Sequence, residues 1–178
     1  GVGVGGDCKG AGKVKIQRPQ MSNQPYVVQD SREGWVELIK TVLNSFVGKG
    51  YYPQNIDWSK VRPEGSPIKG FGGVASGPQP MKDLVKDLTT LLMPKKDGEP
   101  YNIQTSQIVD IFNMIGKCVV AGGVRRTAEI MFGDPNEDEF RKLKDPTDLN
   151  NWYAQQSQHD KDTPEWTELQ QKITNHPL

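Results

Sequence analysis

The chain has 178 residues, which is enough for one domain with a core of its own. Its 22 basic and 22 acidic side chains balance to zero formal charge, so no overall basic field indicates binding to nucleic acid. The mean hydropathy is −0.66, and no apolar run approaches the roughly 18 residues that a membrane-spanning helix needs, so no membrane partner is expected. Cys8 and Cys118 match no metal-ligand spacing, and two such distant cysteines are typical of a reducing cytoplasm.

The first 16 residues are glycine-rich and predict two short strands joined by a loop. Residues 1–6 fit the pattern G-x-G-x-x-G of dinucleotide-binding folds. That pattern requires a helix after it, but residues 7–12 contain further glycine, which breaks helices. A Rossmann-type oxidoreductase is therefore the minor alternative, and residues 13–16 are expected to form the second strand.

The next predicted element is an amphipathic helix that begins near Asp30. Residues 17–29 are polar and contain two prolines, which predicts a loop. Asp30 is expected to cap the helix because Glu33 follows three residues later, and apolar residues then recur at helical spacing as far as Phe46. Residues 51–60 are interpreted as a connector.

A glycine-rich loop follows at residues 61–73 and carries Arg62 and Lys69. Such a loop can bring backbone N–H groups close to a ligand, although an ordinary turn explains the residue types equally simply. A second helix is predicted after it, with apolar residues from Met81 to Leu92 on one face and Pro94 beyond its end.

A third helix is predicted from Thr105, which is expected to cap it. Its residues from Ile108 to Ile115 leave little room for a polar face, so the helix should be buried against a sheet. A strand is predicted over residues 127–132, with Ala128, Ile130 and Phe132 on one face. Together with the strand near residues 1–7, these helices imply an α/β architecture.

Between this helix and this strand lies the segment Ala-Gly-Gly-Val-Arg-Arg, residues 121–126. The two glycines allow backbone geometries that a Cβ forbids, and paired guanidinium groups offer forks of donors to phosphate. A plain turn with two solvated arginines is the alternative interpretation.

The C-terminal region is polar. Short amphipathic helices are predicted around residues 137–143 and 164–173, the second capped by Thr163. Residues 145–162 carry charges without a ligand spacing and are expected to form a solvated surface.

Four stretches of this sequence resemble the ribonucleotide reductases, and most closely the adenosylcobalamin-dependent (class II) ribonucleoside triphosphate reductases. They are residues 1–12, 30–35, 61–73 and 116–130, in the order that the family has them. The resemblance implies an internal piece of a larger enzyme and part of that family's ten-stranded α/β barrel, with a helical insertion. The divisions that it implies are a barrel strand and loop (1–16), the inserted effector-site segment (17–58), barrel elements with the specificity loop (59–133) and a peripheral helical segment (134–178).

The resemblance also implies site residues. Those expected to bind a deoxyribonucleoside triphosphate effector are Asp30, Ser31, Arg32, Arg62 and Lys69. Those of the substrate-specificity loop are Ala121, Gly122, Gly123, Val124, Arg125 and Arg126, and those next to the substrate are Gly70, Gly72 and Gly73.

The whole enzyme would then reduce ribonucleoside triphosphates to 2′-deoxyribonucleotides through a thiyl radical that adenosylcobalamin initiates, with a thioredoxin-type protein as reductant. None of the family's reacting cysteines can be assigned in this chain, so the chain alone is not expected to catalyse the reaction. A non-catalytic nucleotide-binding module is the other alternative.

Overall fold

The computed structural model describes residues 3–68, 73–95, 98–121, 127–143, 145, 147–161 and 163–174. The chain divides into two compact units, Gly1–Phe132 and Gly133–Leu178. In the first unit the elements are β1 (Gly3–Asp7), β2 (Lys15–Ile16), β3 (Gln20–Val27), α1 (Arg32–Phe46), β4 (Tyr51–Asp57), α2 (Gln79–Leu92), β5 (Tyr101–Asn102), α3 (Thr105–Val120) and β6 (Ala128–Phe132). The predicted α/β composition is confirmed.

The strands of the first unit form three separate two-stranded sheets. β1 pairs with β6 and β3 with β4, both in parallel, whereas β2 pairs with β5 antiparallel. Sheets of this size do not make up a barrel within the described residues, so the ten-stranded barrel stays a prediction.

The predicted loop at residues 17–29 and connector at residues 51–60 are wrong, because both segments contain strands. β3 and β4 run in parallel from the pair Gln20 and Tyr51 to the pair Val27 and Asp57, with an irregularity before Pro25. β3 cannot be predicted from its own sequence, because it is polar and contains a proline. It is stabilised by pairing with β4, which follows α1 in the chain. The three elements form a β–α–β unit, the connection that parallel neighbours require.

Two of the predicted helix caps are displaced by one residue. The N-cap of α1 is Ser31, whose hydroxyl accepts the Gly34 N–H at 3.0 Å, and not Asp30. The N-cap of α3 is Gln104, which forms a capping box with Gln107, and not Thr105. α2 ends at Leu92, before Pro94, as predicted.

The core of the first unit lies between α1, α2 and the segments that flank them. Its fully buried members include Leu38, Val42 and Phe46 of α1 and Leu88 and Leu92 of α2. α3 was expected to be buried against a sheet, and Phe112 of this helix does lie against Gly6 of β1. The helix is less buried than expected, because only Thr105 and Cys118 of it are buried and its other apolar residues are half-buried or exposed.

Gly6 of β1 allows close packing of its neighbours. A Cβ on Gly6 would lie 2.9 Å from both the ring of Phe112 on α3 and the sulfur of Met131 on β6. β1 therefore continues straight through its glycine pattern instead of turning, and the first helix after it is α1 at Arg32. This geometry does not fit a Rossmann phosphate-binding turn.

The predicted strand at residues 127–132 is confirmed as β6. Its alternate residues Ala128, Ile130 and Phe132 are exposed, whereas Glu129 and Met131 are half-buried. The face of β6 with the large apolar side chains is therefore open in this chain.

The second unit consists of α4 (Asp138–Lys142), α5 (Thr147–Gln156) and α6 (Pro164–Thr174). The Thr163 hydroxyl accepts the Trp166 N–H at 3.2 Å, which confirms the predicted cap of α6. α5 lies in the stretch that was expected to form a solvated surface, and no helix was predicted there. Across the described part of both units, no helix has the length and apolar character to cross a bilayer.

Candidate anion-binding pocket

The β3–α1–β4 unit brings three of the predicted site residues to one edge of its sheet. Asp30 and Ser31 follow the end of β3, and Arg62 follows the end of β4. Because the strands are parallel, their carboxyl ends meet at the same edge, and the Val28 N–H donates to the Asp57 carbonyl there at 3.0 Å. Ligands of open α/β sheets bind outside this edge.

A pocket of about 330 Å³ opens at this edge, a volume within the range of small-molecule sites. Its polar side chains include Asp30, Ser31, Arg32 and Arg62. Its apolar wall is contributed by α1, the 61–77 segment, α2 and the last turns of α3, through Trp35, Val36, Ile39, Val61, Ile68, Val74, Met81, Leu84, Ile115, Cys118 and Val119. The arrangement suits a ligand with one anionic end and one flat or apolar end.

The charged rim is built around an ion pair between Arg62 and Asp30. The Nε of Arg62 donates to Oδ2 of Asp30 at 2.6 Å. The Arg62 side chain is 42% exposed and that of Asp30 is 28% exposed, so the pair lies partly within the pocket rather than on open surface.

The N-terminus of α1 already has its own anion. Ser31 caps the helix, and the Glu33 carboxylate accepts from the Arg32 Nη2 at 2.9 Å. The pKa of Glu33 lies below its ordinary value, mainly because the backbone N–H of Glu33 itself bonds to the carboxylate and secondly because of Arg32. The dipole of α1 is therefore partly compensated, and Arg62 is the cation best placed to attract an added anion.

Gly34 has a packing role that sequence reasoning missed. A Cβ on this residue would lie 2.6 Å from the carbonyl oxygen of Gln29, so only glycine lets the segment after β3 lie against the first turn of α1. Asp30 and Ser31 lie in the chain between Gln29 and Gly34, so this close contact fixes their placement.

One wall of the pocket is a short hairpin. The Gly65 N–H donates to the Ala75 carbonyl at 2.9 Å and the Ala75 N–H to the Ser66 carbonyl at 2.8 Å. Gly77, at the end of this hairpin, has φ of 68°, and a Cβ there would lie 2.9 Å from the backbone nitrogen of Glu64. Glycine at this position is required on both grounds.

Several predicted site residues lie outside the described ranges, namely Lys69, Gly70, Gly72, Gly122, Gly123, Val124, Arg125 and Arg126. Gly73 is described: it accepts the Ile68 N–H through its carbonyl at 3.1 Å and has φ of 91°. Ala121 is the exposed C-cap of α3, two residues after Val119 in the pocket wall. The structure thus brings together Asp30, Ser31, Arg32 and Arg62 and leaves the other site predictions untested.

Cys118 is a pocket residue to which sequence reasoning gave no role. Burial, and then the carboxylate of Asp83, raise the pKa of its thiol to about 11. Helical spacing to Ile115 was the available signal, since residues three apart share one side of a helix and both of these line the pocket.

Residues 8–92 match the family model described as "B12-dependent ribonucleotide reductase, insertion domain", which includes the whole β3–α1–β4 unit. The chain is 44% identical over 161 residues to a probable adenosylcobalamin-dependent ribonucleoside-triphosphate reductase of Dictyostelium discoideum, covering 81% of this chain and 21% of that protein. It is 42% identical over 146 residues to the adenosylcobalamin-dependent ribonucleoside-triphosphate reductase of Euglena gracilis, covering 81% and 20%.

Among solved structures, the chain matches a crystal structure of a B-12 dependent (class II) ribonucleotide reductase. The TM-score is 0.54 and the sequence identity 34%, over 72% of this chain and 18% of the other. The chain therefore spans about a fifth of the length of the proteins that it matches.

Proposed function

Because the chain belongs to the family of B12-dependent ribonucleotide reductases, we propose that it is the part of such an enzyme that binds a deoxyribonucleoside triphosphate effector. The observation that carries this proposal is the pocket itself, which is lined both by Arg62, Ser31 and Arg32 and by an apolar wall. Phosphates fit the guanidinium end, and a nucleobase fits the wall that includes Trp35.

The names of the relatives support a proposal for the activity of the whole enzyme. In this proposal the enzyme reduces a ribonucleoside triphosphate to its 2′-deoxy form by a thiyl radical, and a thioredoxin-type protein restores its thiols. We assign no reacting role to Cys8 or Cys118, since both are buried and the raised pKa of Cys118 opposes formation of its thiolate. The chemistry then belongs to parts of the enzyme outside this chain.

Adenosylcobalamin does not fit the pocket described above. About 330 Å³ suits a nucleotide, whereas a corrin macrocycle with its side arms is several times larger. When bound, the cofactor supplies the radical, and this chain's residues are assigned to the effector instead.

The position of the pocket suggests how an effector could influence substrate choice. Cys118 and Val119 in its wall belong to the last turn of α3, which leads directly to residues 121–126. A ligand that changes the packing of this turn would bias the segment that carries Gly122, Gly123, Arg125 and Arg126, which we propose as the specificity loop. Coupling of this kind requires that the ligand favour one of two loop states. We also propose that β1 and β6 are two strands of the ten-stranded α/β barrel of the complete enzyme.

Replacing Arg62 by alanine in the full-length enzyme tests the site. The change removes a charge-assisted phosphate contact of roughly 1.5–3 kcal/mol, so the affinity for a deoxyribonucleoside triphosphate should fall by about tenfold or more. Lys60→Ala is the matched control, because Lys60 is an exposed cation two residues away and does not line the pocket. Equilibrium binding of dATP and dTTP by calorimetry measures the effect, and equal affinities of the two variants would show that the site is misplaced.

A non-catalytic nucleotide-binding module, the alternative, would show the same nucleotide binding but would not reduce a ribonucleoside triphosphate. Ribonucleoside triphosphate reduction by the full-length protein, with adenosylcobalamin and a dithiol reductant, separates the two.

A further inference from the structure

The ion pair between Asp30 and Arg62 has a geometry that assigns a distinct role to each partner. Asp30 uses one carboxylate oxygen and engages Arg62 through Nε, at 2.6 Å. In the described part of the chain, neither terminal nitrogen of Arg62 makes a hydrogen bond. The two terminal nitrogens, Nη1 and Nη2, can each donate an N–H to a phosphate oxygen, so that two parallel hydrogen bonds form.

A carboxylate in an anion pocket would ordinarily weaken anion binding. A direct contact between Asp30 and a phosphate is repulsive, so Asp30 does not belong to the phosphate-binding set in its own right. An arginine side chain, however, carries several rotatable bonds, and holding it in one orientation lowers the entropy that ligand binding must remove.

We propose that Asp30 is a positioning residue, which holds Arg62 by Nε so that its two terminal nitrogens face the pocket. This inference rests on the proposed function and deepens it, since it changes the role expected of Asp30 from ligand contact to support of Arg62. The backbone is built for such support. The Val28 N–H bonds to Asp57, and the Val61 N–H bonds to the Trp58 carbonyl at 3.0 Å, so both partners of the pair follow anchored segments.

A double-mutant cycle in the full-length enzyme tests this role, with inorganic tripolyphosphate and dATP as the probes. Asp30→Asn removes the charge that holds Nε and should weaken binding of both probes by about three- to tenfold. In the Arg62→Ala background the same substitution should no longer weaken binding, because there is no guanidinium left to position and only the repulsion between the carboxylate and the phosphates is removed. Asp30→Glu keeps the carboxylate and should recover part of the loss.

The outcomes separate this inference from the proposed function. If Arg62→Ala leaves both affinities unchanged, the proposed site fails. If Arg62→Ala weakens binding but Asp30→Asn strengthens it or has no effect, Asp30 is a competitor or a bystander, and the positioning role is wrong. An equal loss from Asp30→Asn with and without Arg62 would likewise overturn it, since that result means direct contact or general damage. Circular dichroism melting of each variant accompanies the titrations, and Asp30→Glu provides a second reading where Asp30→Asn melts early.

Discussion

At the scale of single residues, Cys118 gives the sharpest expectation. Thiol reagents react with the thiolate, and burial beside Asp83 raises the pKa of this thiol to about 11. In a Cys8→Ser variant, which leaves one cysteine in the chain, alkylation at pH 8 should be far slower in the folded than in the urea-unfolded protein. Labelling of the folded protein should increase as the pH approaches 11. Mass spectrometry after timed iodoacetamide treatment measures both rates, and equal rates at pH 8 would contradict the burial of Cys118.

The sign of the accompanying stability change follows from the same shift. Between the ordinary pKa of 9.0 and about 11, the folded protein keeps a proton that the unfolded chain has lost. The unfolded state therefore binds fewer protons, and the free energy of unfolding should fall as the pH rises through this window. Cys118→Ala should flatten this part of the stability curve.

The four residues that were expected to bind an effector and that the structure describes lie around one pocket, namely Asp30, Ser31, Arg32 and Arg62. Their binding of an effector stays a prediction. The roles within this set were harder to predict, because Asp30 and Ser31 are adjacent and both side chains can cap a helix. In the structure Ser31 is the N-cap of α1, and Asp30 forms an ion pair with Arg62. A local pattern does not decide this, since Arg62 lies 32 positions away.

At the scale of elements, the start of α1 depends on the Ser31 cap. Ser31→Ala leaves the Gly34 N–H without its acceptor and should cost about 1 kcal/mol, which corresponds to about a fivefold increase in local opening. Hydrogen exchange in the peptide that contains the first turn of α1 should therefore speed up, while α2 exchanges as before. Ser31→Asp keeps an oxygen acceptor and should restore most of the protection. Unchanged exchange in Ser31→Ala would assign the cap to Asp30 instead.

The three helices of the first unit were predictable because their apolar residues repeat at helical spacing. β3 and β4 were not, because neither has an alternating apolar pattern and their pairing spans the whole of α1. Without those strands, the sequence could not show that Asp30 and Arg62 end up at one sheet edge. The motifs predicted which residues form the candidate site, and the β–α–β unit explains how Asp30 and Arg62 come together.

At the scale of the whole molecule, the sheet of β1 and β6 is incomplete. Its two parallel strands have α3 on one face, where Phe112 lies against Gly6. The other face presents Ile130 and Phe132, which are 56% and 61% exposed. Parallel sheets in folded domains are usually covered on both faces. Since the family's proteins are about five times longer than this chain, we expect the remainder of the enzyme to cover this face.

This expectation predicts opposite effects of one substitution in two contexts. Replacing Ile130 and Phe132 together by lysine should reduce self-association of the isolated 178-residue chain, because it removes an exposed apolar patch and charges an open sheet. In the full-length enzyme the same change would bury two cations, so soluble yield and melting temperature should fall. Tyr51→Lys is the control, since Tyr51 is as exposed as Phe132 but lies in the β3–β4 sheet. Light scattering of the isolated chain and thermal melting of the enzyme measure the two effects, and an enzyme that tolerates both lysines would show that this face stays open to solvent in the complete protein.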